Sequence, residues 1–174
     1  MEDFSKEQKR VNYPKGLSEE DIALVNLQCQ LQHAENKEQI EGFAEAYALA
    51  KKFSKDKENF KDLSSEKIEE IIFSWAKKIE PRNKNGYRIV PVTFDGGGSG
   101  LEPRLIPQAM KSFCQAYAGS FFEPEEMYKE FEKIHPFEDG NGRIGDLLWK
   151  MMLAKNKDTW PNEIPPDIFG VHKK

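Results

Sequence analysis

Apolar residues recur at three- and four-residue intervals through most of the chain, the spacing that gathers them on one side of a helix. The clearest run is Ile68, Ile71, Ile72, Trp75 and Ile79, opened by Ser65 as an N-cap and stopped by EPRNKNG at 80–86. A second stripe, Ile40, Phe43, Tyr47, Ala50 and Phe53, predicts a helix over 38–53. Before it, Ser18 followed by Glu19, Glu20 and Asp21 reads as a cap with acids in the first turn, and Ile22, Val25 and Cys29 continue that helix to about residue 35. Two further helices are expected over 107–118 and 124–134, the latter with Pro124 in its first turn. Leu147, Leu148, Met151, Met152 and Leu153 are too apolar for a surface helix and predict one buried on most sides.

The period changes at 87–94, YRIVPVTF, where β-branched and aromatic residues precede DGGGSG. We read one arm of a short hairpin there, with a long loop as the equal alternative on pattern alone. Pro91 has no N–H to donate, which assigns this arm to an edge. Such an edge is a surface onto which an extended peptide can add. The fold expected is therefore mainly α, a helical bundle with a β-hairpin flap. Its parts would be an N-terminal arm at 1–16, a first helix at 17–35, a core domain at 36–155 and an irregular, proline-broken tail at 156–174.

At 174 residues the chain can bury a core without staples, and its two cysteines, Cys29 and Cys114, share no metal-ligand spacing. A reduced, cytoplasmic setting is the expectation. No apolar run is long enough for a membrane span, and the net charge of −4 with mixed signs leaves no basic stripe for long nucleic acid.

Chemistry is concentrated in one stretch, KIHPFEDGNGRIGD at 133–146, between two expected helices. Its glycines let backbone amides converge, and such a concavity ending in a helix N-terminus is an anion site, most naturally for phosphate. Gly140, Asn141, Gly142 and Arg143 are the candidate phosphate-binding residues, Arg143 through a bidentate guanidinium and Asn141 as a neutral donor. Asp139 suits a hard cation such as Mg²⁺, which commonly takes one carboxylate plus substrate phosphates. His135 is the one group there able to accept a proton near pH 7. Base, metal carboxylate, anion cradle and cation together describe phosphoryl or nucleotidyl transfer.

The stretch resembles the signature of the Fic (Fic/Doc, Fido-fold) family, H-P-F-x-[D/E]-G-N-G-R-x-x-R. His135, Pro136, Phe137, Asp139, Gly140, Asn141, Gly142 and Arg143 match it, and seven fixed letters coincide by chance at roughly one position in a billion. YKEFEKI upstream, the apolar helix downstream and GYR at 86–88 are similar to the family core as well. The resemblance implies transfer of AMP or a related phosphate-linked group from ATP or another nucleotide donor, with Mg²⁺, to a Ser, Thr or Tyr hydroxyl of a target protein. It implies His135 as general base, Asp139 as metal ligand and Arg143 on the β-phosphate. The flap residues Tyr87, Arg88, Ile89, Val90 and Val92 would clamp the target.

The final motif arginine, which in the family holds the γ-phosphate, is Asp146 here. Loss of one charge-assisted hydrogen bond costs ~1.5–3 kcal/mol, and a carboxylate beside a phosphate would repel it. Three readings follow: a donor without a γ-phosphate, ATP bound weakly or in another orientation, or a degenerate binding module. Doc-like kinase chemistry is a further alternative. Lys150, one turn on, reads first as solvent-facing and second as a substitute cation. SKDKEN at 54–59 fits the letters of the family's inhibitory motif but falls in a charged loop, so any silencing would need a separate regulatory partner.

Overall fold

A computed structural model describes residues 10–56, 60, 63–94 and 97–167. Among them are six α-helices: α1 (Glu19–Leu31), α2 (Lys37–Lys55), α3 (Ser65–Ile79), α4 (Ile106–Ala118), α5 (Pro124–Ile134) and α6 (Asn141–Lys157). The first three helices begin where side chains satisfy free N–H groups. Ser18 and Asp21 form a reciprocal capping box on α1, and Asn36 and Gln39 form another on α2, which begins one residue before the expected 38. Of the two serines before α3, Ser64 is the cap and Ser65 the first helical residue.

The last helix lies at the centre. α6 packs on α5, α2 and α3, and every residue from 143 to 152 is buried. Ile144, Leu147, Leu148 and Met151 meet Phe43, Ile72, Ile79 and Phe131 in one continuous core. Each such side chain contributes about 1.5–3 kcal/mol on burial. α6 also carries Arg143, Asp146 and Lys150 inward, so its position depends on their finding polar partners. Among the described residues no helix is long and apolar enough to cross a membrane.

One expectation is corrected. Among the described residues the hairpin is reduced to one antiparallel bridge, Thr93 with Ser99, flanked by Gly100 N–H to the Val92 carbonyl at 3.2 Å and Phe94 N–H to the Gly98 carbonyl at 3.0 Å. A longer ladder is precluded because neighbouring backbone groups are engaged elsewhere. Arg88 N–H donates to the Pro136 carbonyl, Leu101 N–H to Lys133, and the Val90 and Leu101 carbonyls accept from the Arg88 guanidinium. The N-terminal segment, where described, is docked: Val11, Tyr13 and Leu17 rest against the core, and Asn12 N–H donates to Glu41 at 2.7 Å. In the tail, Trp160 Nε1 donates to Tyr47 Oη at 3.1 Å and Pro165 is buried, so residues 158–167 pack irregularly. Residues 57–59 of the SKDKEN stretch lie outside the described residues.

Candidate functional site

The glycine-rich stretch turns the chain from α5 into α6. The residue that ends α5, His135, takes a left-handed backbone at φ 49°, a conformation that costs a non-glycine residue about 1–2 kcal/mol. Arg88 holds it there. The guanidinium donates to the carbonyls of His135 at 2.6 Å, Ile134 at 3.2 Å, Leu101 at 2.6 Å and Val90 at 2.8 Å. Phe137 is buried with its ring edge-on to Phe73 and tilted against Tyr87, anchoring the loop in the core. Gly140, at φ 85°, is the N-cap of α6, and a Cβ there would stand 2.9 Å from Ile79 Cγ2.

Asn141 has a different task from the one its amide suggested. Its Oδ1 accepts from Phe137 N–H at 2.9 Å and its Nδ2 donates to the Phe137 carbonyl at 2.8 Å. The amide therefore closes the loop on itself and shapes the cradle instead of pointing a donor into it.

The charges face one another across the loop. Arg143 is fully buried, yet its Nε and Nη1 have no hydrogen-bond partner among the described residues; Nη2 reaches Asp139 Oδ1 at 3.4 Å. A buried guanidinium left with free donors is unfavourable, which makes these two nitrogens the candidate donors to an anion. Asp139 is 41% exposed; its Oδ1 accepts from Gly140 N–H at 2.7 Å and its Oδ2 pairs with Arg82 at 3.1 Å. No cluster of three or more His, Cys, Asp or Glu side chains suited to a metal occurs among the described residues. A cation held by Asp139 would take its other ligands from phosphate oxygens and water, which is the habit of Mg²⁺. The donor set thus fits.

Burial pushes the His135 imidazole down to about 4, aided by the Arg88 charge and opposed by the Glu132 carbonyl and Asp139. The ring is accordingly neutral at pH 7. Its Nδ1 is buried without a hydrogen-bond partner among the described residues, and Phe94 packs edge-on at 5.0 Å between centroids.

The flap residues separate into two groups. Ile89 and Val90 are exposed and Val92 is half-buried, so these three line the outer surface. Tyr87 and Arg88 do not. Tyr87 stacks on Phe73 and donates its hydroxyl to Glu69, while Arg88 is buried, so both side chains fasten the loop.

Asp146 and Lys150 also differ from expectation. Both side chains are buried and pair with each other, and Gln28 of α1 donates its amide to Asp146 Oδ2 at 3.1 Å. Lys150 lies 5.6 Å from the Tyr47 ring centroid and 5.8 Å from that of Trp149. Lys150 is thus neither solvent-facing nor a spare cation, and Asp146 has its charge answered from within. Gln28 in turn accepts from Gln32 Nε2 at 2.9 Å, and the Gln32 amide covers Gly142 so closely that a Cβ there would meet it at 2.3 Å. Sequence reasoning missed Gln28 and Gln32; their four-residue spacing on α1 is the only signal they carry. It also missed Arg82 and Asn83, whose amide donates to the Asp139 carbonyl at 3.0 Å.

A helical bundle with a helix, glycine-loop, helix site defines the class, and the family model described as Fic/DOC matches residues 36–153. The chain belongs to the Fic/DOC family, whose members are generally transferases. No match is found among curated proteins. α1, with Gln28 and Gln32, lies outside the matched span yet forms one wall of the cradle.

Proposed function

We propose that the chain is a Fic-type transferase that moves a nucleotidyl or related phosphate-linked group from a nucleotide donor to a Ser, Thr or Tyr hydroxyl of a target protein. The observation that carries this reading is the buried Arg143, with two unpartnered nitrogens, at a glycine loop that also presents a neutral histidine.

The roles follow from chemistry at each atom. Arg143 binds and fixes the donor's phosphate oxygens, and the amides after Gly140 add dipoles of the same sign. A target lying against Ile89 and Val92 brings its hydroxyl to His135, whose neutral ring takes the proton as the oxygen bonds to phosphorus and the bond to the leaving phosphate breaks. Nδ1 is the buried nitrogen, which leaves Nε2 to face the substrate. Mg²⁺ bound at Asp139 would neutralise charge on the phosphates. Arg88 keeps His135 in its strained backbone so that the ring does not swing away.

The test is transfer of label from α-labelled nucleotides, in parallel with diphosphate-linked donors, into lysate proteins and the chain itself, comparing wild type with His135→Ala. Labelling should depend on His135 while donor affinity changes little. Because the free ring titrates at about 4, the acid limb of kcat/KM should fall well below pH 6. Undiminished transfer by His135→Ala would refute the assignment.

A further inference from the structure

The cations around the loop are not equivalent. Lys150 is sealed in its pair with Asp146, and Arg88 commits its donors to four backbone carbonyls. Arg143 is available but buried and fixed. The remaining guanidinium belongs to Arg82, on the 3-10 turn Pro81–Asn85, outside the glycine-rich motif. Its side chain is 64% exposed and rests between Glu80 at 3.1 Å and Asp139 at 3.1 Å. The turn beneath it is held in place, because Asn83 donates to the carbonyls of Ala76 at 3.2 Å and Asp139 at 3.0 Å.

Arg82 and Arg143 approach the same carboxylate from its two oxygens, Oδ2 and Oδ1. Two guanidiniums converging on one carboxylate form a pair of cations that a diphosphate, with more oxygens and more charge, can also engage. We infer that Arg82 is the second cation of the donor site and closes with Arg143 as a clamp on a donor's diphosphate group. The inference rests on the nucleotide-donor reading above. Arg143 supplies the independent sign that an anion belongs there, through its two buried and unpartnered nitrogens. Exposed ion pairs hold weakly, so Arg82 can exchange Asp139 for phosphate oxygens without disturbing the fold. It then provides from the surface the charge that position 146 does not, and Asp139 is released from one of its two arginines.

Calorimetric titration of the full chain with ADP and with AMP, each with Mg²⁺ and again in chelator, tests this on wild type, Arg82→Gln, Arg82→Lys and Arg104→Gln. Arg104 is exposed and, among the described residues, pairs with Glu102. Arg82→Gln should weaken ADP about tenfold or more and AMP less than about twofold, with Arg82→Lys between and Arg104→Gln unchanged. ADP affinity unchanged or raised by Arg82→Gln, or equal losses for ADP and AMP, would overturn the clamp while leaving the transferase reading intact. Wild type that binds neither nucleotide, nor CDP or UDP in the same titration, would overturn that reading and the clamp with it. Because Arg82 is largely exposed, Arg82→Gln should melt within a few degrees of wild type, which separates lost contact from lost fold.

Discussion

Lys150→Met isolates what the buried pair on α6 contributes. Methionine keeps the length of the lysine stem and suits contact with the Tyr47 and Trp149 rings, so packing changes little and the loss is electrostatic. With side-chain exposures of 0% for Lys150 and 1% for Asp146, the variant leaves a carboxylate buried beside the Gln28 amide alone. Removing one partner of such a pair costs about 3–5 kcal/mol, and the retained Gln28 hydrogen bond places this case toward the lower figure. At about 2–4 °C per kcal/mol for a chain of this size, the melting temperature should fall by roughly 6–20 °C. Urea unfolding followed by tryptophan fluorescence reads it directly, since Trp149 sits beside the altered side chain. Adding Asp146→Asn removes the stranded charge and should recover most of the loss. A cost below about 1 kcal/mol for the single variant, or no recovery in the double, would refute the electrostatic account.

Arg88→Ala should destabilise by at least about 3 kcal/mol, because four backbone carbonyls lose a charged donor, and Arg88→Lys should not rescue it since one ammonium cannot reach all four; chemical denaturation checks both, and a loss below about 1 kcal/mol would contradict the anchoring role. Glu132 has its Oε1 buried without a partner, and burial pushes its carboxyl up to about 7. The folded chain therefore holds a proton that the unfolded chain releases near the ordinary value of 4.5, so this group's contribution is lost as pH rises from about 4.5 through 7. Glu132→Gln should match wild type near pH 4.5 and exceed it by on the order of 1–3 kcal/mol at pH 8, as read from denaturation midpoints across pH; a constant difference would contradict the assignment.

What was legible in the sequence was local. Caps, apolar stripes and the glycine-rich motif placed the helices and located His135, Asp139 and Arg143 at the α5–α6 turn, since each signal lies within a few residues of what it specifies. Errors arose where a distant residue supplied the partner. Lys150 with Asp146 four positions earlier looks like a surface pair, and only Gln28 and Tyr47, from α1 and α2, make it an interior one. The alternating 87–94 segment has the composition of a strand, but Arg88 and the motif loop take the backbone groups that a ladder would use. Asn141 was misjudged locally: an asparagine opening a helix can clasp the backbone four residues back, and this one does.

The reach of the Gln28–Asp146 hydrogen bond, 118 residues along the chain, sets a timetable for the protein. Translation at about 5–20 residues per second puts on the order of 6–24 s between the appearance of α1 and that of its partner on α6. During that interval Gln28 has no carboxylate to meet and the Tyr47 face of α2 has no lysine, so the nascent chain can form helices but not the cradle. Contacts of such long range also slow folding, because loop closure precedes their gain. The chemistry of the glycine loop is thereby tied to the arrival of α6: an arrested polypeptide carrying the first five helices lacks both Arg143 and the Gly142 over which Gln32 lies.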